Sequence, residues 1–100
     1  MASFTFGILD AAAVERLRSA GCYVIGTATT VAEALAWAAV GADAVCASGM
    51  EAGGHRGTFL TPTQPGGTGA APSLADFAAS MVGTLPLVAQ CVQALSIPVI

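Results

Sequence analysis

Two glycines, Gly21 and Gly41, lie twenty residues apart and do most to limit how this chain folds. Each follows a run with helical spacing and precedes a short apolar run, Cys22-Tyr23-Val24-Ile25-Gly26 in one case and Asp43-Ala44-Val45-Cys46-Ala47 in the other. Glycine just past a helix takes the left-handed turn that closes it at little steric cost. Helix, stop and strand therefore occur twice in the same register. The start signals agree. Asp10 is placed to cap a helix through Ala20, with Val14 and Leu17 on one face. Thr30-Val31-Ala32-Glu33 has the form of a capping box, in which hydroxyl and carboxylate each satisfy a free amide, and it opens a helix to about Val40.

The rhythm extends in both directions. Ser3 to Gly7 is β-prone and ends on a glycine. Near the other end, Thr84 is the expected N-cap of a helix with Pro86 in its first turn, where a missing amide does no harm. Leu87, Val88, Cys91, Val92 and Leu95 form its expected buried stripe, and Ile97-Pro98-Val99-Ile100 reads as a further strand. Between these lies a stretch rich in Gly, Pro and Thr, with an insertion at about 58–72 and a short helical turn expected from Leu74 to Ala79 behind Ser73. Four strands alternate with three main helices, which predicts an α/β fold with a parallel sheet built from βα units. The strands lack polar alternation, as in a sheet covered on both faces or a barrel wall. A closed (β/α)8 TIM barrel takes roughly 200 residues or more. The chain is therefore expected to form one partial barrel domain over residues 1–100, about half a barrel.

Composition narrows the function. Hydrophobic residues make up 55% of the chain and charged residues 9%, whereas about a quarter of an ordinary globular domain is charged. So apolar a chain is expected to pack against more protein, either the rest of a barrel or a partner chain. Arg16, Arg18 and Arg56 are its only basic residues beside one histidine, and the net charge is −3, too little cation for a nucleic-acid groove. Cys22, Cys46 and Cys91 are scattered among apolar residues with no metal or disulfide spacing, and read as buried thiols in a reducing, cytoplasmic compartment. No signal peptide is evident at the N-terminus. The uncharged stretch from Phe77 to Ile100 is broken by Pro86, Gln90, Gln93, Ser96 and Pro98, which argues against a membrane span.

Chemistry concentrates in one block. Glu51-Ala52-Gly53-Gly54-His55-Arg56-Gly57 follows the apolar run ending at Ala47 and carries the sole histidine. In parallel α/β folds ligands bind outside the C-terminal ends of strands, which is where this block stands. Gly53 and Gly54 let backbone amides approach an anion or a planar ring. An imidazole titrates near neutrality and suits proton abstraction or stabilisation of an anion. Arg56 suits an acidic group or a loop brace. The plainer alternative is that His55 and Arg56 are solvated loop residues. Glu51 reads as a general base or as a carboxylate paired with Arg56 or nearby amides. Asp10, Asp43 and Asp76 read as cap or turn residues, and Trp37 as an outer-face packing residue. The run Gly66-Gly67-Thr68-Gly69 lacks a lysine and a helix start, so it is a weak phosphate signal.

Ala44-Val45-Cys46-Ala47-Ser48-Gly49-Met50, followed by Glu51 to Gly57, resembles the signature of the nitronate monooxygenases, also called 2-nitropropane dioxygenases. Phe4-Thr5-Phe6-Gly7, Ala28 to Ala34 and Gly83 to Gln90 resemble that family's flanking elements in order, so nearly the whole chain is covered apart from the insertion. The resemblance implies an FMN-dependent barrel in which an alkyl nitronate and oxygen give a carbonyl compound and nitrite without nicotinamide. It implies that His55 is the catalytic histidine, as base or as stabiliser of the anionic substrate, and that Gly53, with Gly54 beside it, meets the FMN. Ser48 stands where a glutamine usually touches the flavin. The family's Gly-Gly turn and later Gly-Thr phosphate loop have no counterpart in these residues, nor do its N-terminal strands, so the chain matches a central slice. Flavin-dependent enoyl-acyl-carrier-protein reductases resemble it less, because an aliphatic residue usually follows their histidine and Arg56 does so here. A non-catalytic fragment, or one subunit of a split flavin barrel, is the alternative outside enzymes.

Overall fold

The computed structural model describes residues 1–60, 74, 78 and 80–100. Along the chain come β1 (Ala2–Phe4), α1 (Ala11–Ser19), β2 (Val24–Ala28), α2 (Val31–Ala39), β3 (Ala44–Ala47) and α3 (Thr84–Ala94). The strands form one parallel sheet in the order β1-β2-β3, with Phe4 opposite Gly26, Gly26 opposite Val45 and Ala28 opposite Ala47. The fold is thus α/β with alternating units.

Both glycine stops close their helices in the same way. Past α1, Gly21 N–H donates to Arg18 O at 2.8 Å and Cys22 N–H to Leu17 O at 3.0 Å, with Gly21 at φ +80°. Past α2, Gly41 N–H donates to Ala38 O and Ala42 N–H to Trp37 O, both at 3.1 Å, with Gly41 at φ +92°. These paired bonds are Schellman motifs, which satisfy the last carbonyls of each helix. The same turns move the strands. Because Cys22 N–H is engaged by α1, β2 begins at Val24 and not at Cys22 as expected. β1 is shorter than expected because Phe6 sits at φ +67° and Gly7 at +149°, which breaks the extended run.

Two further expectations are corrected. The fourth strand is a single parallel bridge, Val45 with Val99, made by Val45 N–H to Pro98 O at 3.0 Å and Ile100 N–H to Val45 O at 2.9 Å. Extending it toward Ile97 would require an N–H at Pro98, which proline lacks. Secondly, the N-cap of α3 is Gly83, with Thr84 as the first helical residue. On α3 only Leu87 and Cys91 are buried, while Val92, part of the expected stripe, is 59% exposed.

The core lies between the helices and one face of the sheet. Val14, Ala34, Trp37, Leu87 and Cys91 join Val24, Ala28, Val45 and Ala47 in one buried cluster. Trp37 is at its centre. A Cβ on Gly26 would lie 2.0 Å from the indole, so only glycine lets the ring lie flat on β2. Phe4 stacks beside it at 6.3 Å between ring centroids, Phe59 meets it edge-on at 6.4 Å, and its Nε1–H donates to Thr27 O. The opposite face carries Ile25, Thr27 and Cys46, each half-buried. Cys22 and Cys46 are therefore not the fully buried thiols expected, since Cys22 sits half-buried in a helix-closing turn and Cys46 half-buried on the face opposite the helices. Cys91 is buried, and burial pushes its thiol up from the ordinary range.

At the N-terminal ends of the strands, Asp43 accepts Val24 N–H at 2.8 Å and pairs with Arg18 Nε at 3.2 Å. Asp10 caps α1 by accepting Ala13 N–H at 2.7 Å. Asp76, the glycine run 66–69, the Ser73 cap and residues 61–72 of the expected insertion lie outside the described residues. Among the described residues no helix is long and apolar enough to cross a membrane.

Candidate active site

The loop after β3 leaves the C-terminal edge of the sheet, on the side where β1 ends in Thr5 to Gly7. It has two anchored limbs and a free tip. The rising limb starts at Ser48, whose N–H donates to Ala28 O at 2.9 Å. Gly49 then passes so close to α3 that a Cβ there would lie 2.3 Å from Thr84 N and 2.6 Å from its Cα. Met50 N–H donates to Val82 O at 2.8 Å. Glu51 Oε1 accepts Thr84 N–H at 2.9 Å. Because Gly83 has no side chain to cap α3, a carboxylate from a distant loop takes that place, where the helix dipole favours it. Bonds from its own amide and from Thr84 hold the Glu51 carboxyl below the usual carboxylate range.

The tip is Ala52 to His55, and all four residues are exposed. A Cβ on Gly53 or on Gly54 would meet nothing within 4 Å, and Gly54 adopts φ +82°. The amides of Gly53 and Gly54 make no hydrogen bond within the described residues, nor does the imidazole of His55. The tip thus offers two free N–H groups and a free imidazole at the strand rim. Arg56, half-buried, turns back from the tip and donates through Nη2 to Ser80 O, while its buried Nε has no partner among the described residues. No ion pair joins Arg56 to Glu51 among the described residues.

The falling limb is held by a residue that sequence reasoning assigned only to a helix cap. Thr30 Oγ1 does accept Glu33 N–H, at 3.3 Å, but the carboxylate does not return to the Thr30 amide. Glu33 is fully buried. Its Oε2 accepts Thr29 N–H at 2.7 Å and Thr29 Oγ1–H at 2.8 Å, and its Oε1 accepts Phe59 N–H at 2.6 Å and Leu60 N–H at 2.9 Å. With the Thr29 hydroxyl donating to Glu33, the Thr58 hydroxyl, 2.9 Å away, donates to Thr29. A buried carboxylate needs several donors or a counter-ion, and here donors serve. The T-x-x-E spacing marks Glu33 as a cap. Nothing in the sequence says that its carboxylate reaches 26 and 27 residues ahead.

These residues fit the ring of a planar, hydrogen-bonding cofactor better than its phosphate. The free amides of Gly53 and Gly54 are donors beside open space, and half-buried Ser48 stands at the foot of the loop. The one arginine of the loop is already engaged with Ser80. Among the described residues no three histidine, cysteine, aspartate or glutamate side chains gather as metal ligands.

Comparison with known proteins gives a consistent pattern. The model of the family described as nitronate monooxygenase matches residues 1–100. A probable nitronate monooxygenase of Staphylococcus aureus strain JH9 is 47% identical over 97 residues, which are 97% of this chain and 24% of that protein. The protein of strain MRSA252 is 46% identical over the same span. Among solved structures, nitroalkane oxidase from Streptomyces ansochromogenes aligns with TM-score 0.78 and 45% identity, covering 97% of this chain and 24% of the other. A mutant FabK from Thermotoga maritima aligns with TM-score 0.65 and 28% identity, covering 98% and 26%. The chain therefore spans about a quarter of the length of the curated relatives it matches, at 24%.

Proposed function

The chain belongs to the nitronate monooxygenase family, and from that premise we propose that it is a sector of a flavin-dependent (β/α)8 barrel whose whole protein oxidises alkyl nitronates with oxygen to a carbonyl compound and nitrite. The observation that carries the reading is the loop tip: a free imidazole beside two free glycine amides, at the C-terminal rim of a parallel sheet. Sequential strand order with α1, α2 and α3 in one core cluster supports a barrel wall over a doubly wound sheet, which would carry helices on both faces.

In this reading the Gly53 and Gly54 amides and Ser48 meet the FMN ring. When bound, FMN accepts electrons from the substrate and passes them to oxygen. His55 acts on the substrate. For a neutral nitroalkane it takes a proton from the carbon bearing the nitro group, and for a nitronate, already an anion, it donates a hydrogen bond to the negative oxygens. Arg56 braces the loop through Ser80, and Glu51 fixes its rising limb on α3. Free thiols at Cys22, Cys46 and Cys91 support a reducing, cytoplasmic setting.

The test is an assay of the intact gene product with propionate 3-nitronate, against a crotonyl thioester with NADH. Nitrite release without NADH is expected. Thioester reduction without nitrite release would instead select the enoyl reductase reading. The lower identity and TM-score of the FabK alignment make that outcome the less favoured one.

A further inference from the structure

We propose that Glu33 is a positioning residue for the His55 loop: its buried carboxylate fixes the falling limb, Thr58 to Leu60, to the end of β2 and thereby sets where the imidazole stands. The inference rests on the reading of His55 as the group that acts on substrate. Its geometry, however, is independent of that reading. Four donors converge on one carboxylate with no cation paired to it among the described residues, and two of them are loop amides. A helix cap requires none of the bonds to Phe59 and Leu60. Ala52 N–H, at the start of the tip, donates to Gly49 O at 3.1 Å, but Gly53, Gly54 and His55 make no bond among the described residues, so the backbone of the tip does not hold His55 in place. The limbs do. The rising limb is pinned at Met50 and Glu51, and the falling limb by Arg56 on Ser80 and, from three residues after His55, by Glu33 through Phe59 and Leu60 and by the relay from Thr58 to Thr29.

Two substitutions test the role in the intact gene product. E33Q preserves the volume but leaves one acceptor oxygen and turns an NH2 toward amide donors. T58V removes only the last hydroxyl of the relay and leaves the bonds of Glu33 in place. Amide hydrogen exchange, read by mass spectrometry, is expected to rise at least about tenfold at Phe59 and Leu60 in E33Q, in line with loss of charge-assisted hydrogen bonds. A smaller rise confined to residues 57–60 is expected in T58V, and β2 and β3 are expected to be unchanged in both. With a neutral nitroalkane, from which His55 takes a proton, kcat in E33Q is expected to fall by about 10- to 100-fold with little change in KM, as for a displaced catalytic group. In an H55N background the E33Q effect on kcat is expected to vanish, which a general loss of stability would not produce.

Unchanged exchange at Phe59 and Leu60 in a folded E33Q overturns the proposal whatever the reaction is. So does an E33Q effect on kcat that persists in full beside H55N. If E33Q fails to fold, the wild-type protein decides: Phe59 and Leu60 amides that exchange as fast as the free amides of Gly53 and Gly54 overturn the role. A wild-type protein that releases no nitrite overturns the functional reading instead, and the exchange measurements still decide the positioning.

Discussion

His55 owes its availability to its neighbours. Glycines before and after it leave room, and nothing within the described structure bonds its ring. In the intact protein H55N is expected to lower kcat for a neutral nitroalkane by about 10²- to 10⁴-fold, the usual worth of a general acid–base group, with KM nearly unchanged. Steady-state nitrite release checks this. Glycines elsewhere serve the opposite purpose. Gly26 exists so that Trp37 can lie against β2, and G26A would put a methyl 2.0 Å from the indole. That substitution is expected to cost about 1–3 kcal/mol as overpacking. G53A, which meets nothing within 4 Å, is expected to change stability by no more than about 0.5 kcal/mol while weakening FMN binding. Thermal melts and flavin fluorescence titrations of the two variants separate a packing glycine from a ligand-facing one.

At the scale of elements, the loop after β3 and the start of α3 stabilise each other. Glu51 supplies the cap that Gly83 does not, and its folded carboxyl lies below the usual range. A depressed folded value means that the unfolded chain binds the proton more readily in between. The contribution of Glu51 is therefore complete above the ordinary carboxylate value of 4.5 and is lost as pH falls through the lower folded value. E51Q is expected to melt earlier than wild type at neutral pH and to converge with it in strong acid. Melting curves over a pH series test the sign, and a gap that widens in acid would contradict it. The helix ends behave differently. Schellman turns at Gly21 and Gly41 use backbone bonds alone and carry no pH dependence. An alanine at either glycine would be held at positive φ, at a cost of about 1–2 kcal/mol.

For the molecule as a whole, helices cover one sheet face, and no helix among the described residues covers the other. Helices α1, α2 and α3 seal the face with Val24, Ala28 and Val45, whereas Ile25, Thr27 and Cys46 look out from the other side half-buried. In a barrel that second face is the interior wall, filled by side chains from the remaining strands. Residues 1–100 prepared alone are therefore expected to bind an apolar dye, to show no saturable FMN binding at micromolar concentration and to release no nitrite. The intact protein is expected to do the reverse. Saturable FMN binding together with turnover by the isolated residues would contradict this partition.

Local signals were legible in the sequence because they are satisfied locally. Asp10, Thr30, Gly21 and Gly41 bond to groups within five residues of themselves, so spacing alone placed α1 and α2, and the alternation that follows gave the parallel sheet. The polar block from Glu51 to Gly57 stood out for a related reason, since charge is scarce here and polar residues after an apolar strand are conspicuous. Strand limits and long-range anchors were not. β2 shifted because a helix-closing turn took the Cys22 amide, and the fourth strand stopped at one bridge because Pro98 has no proton to give. Glu33 read as a local cap, and Glu51 as a general base or a carboxylate paired with Arg56 or nearby amides. Only the tertiary structure brings them to amides 26 and 33 residues away, because burial and a missing cap decide which distant donors a carboxylate must serve.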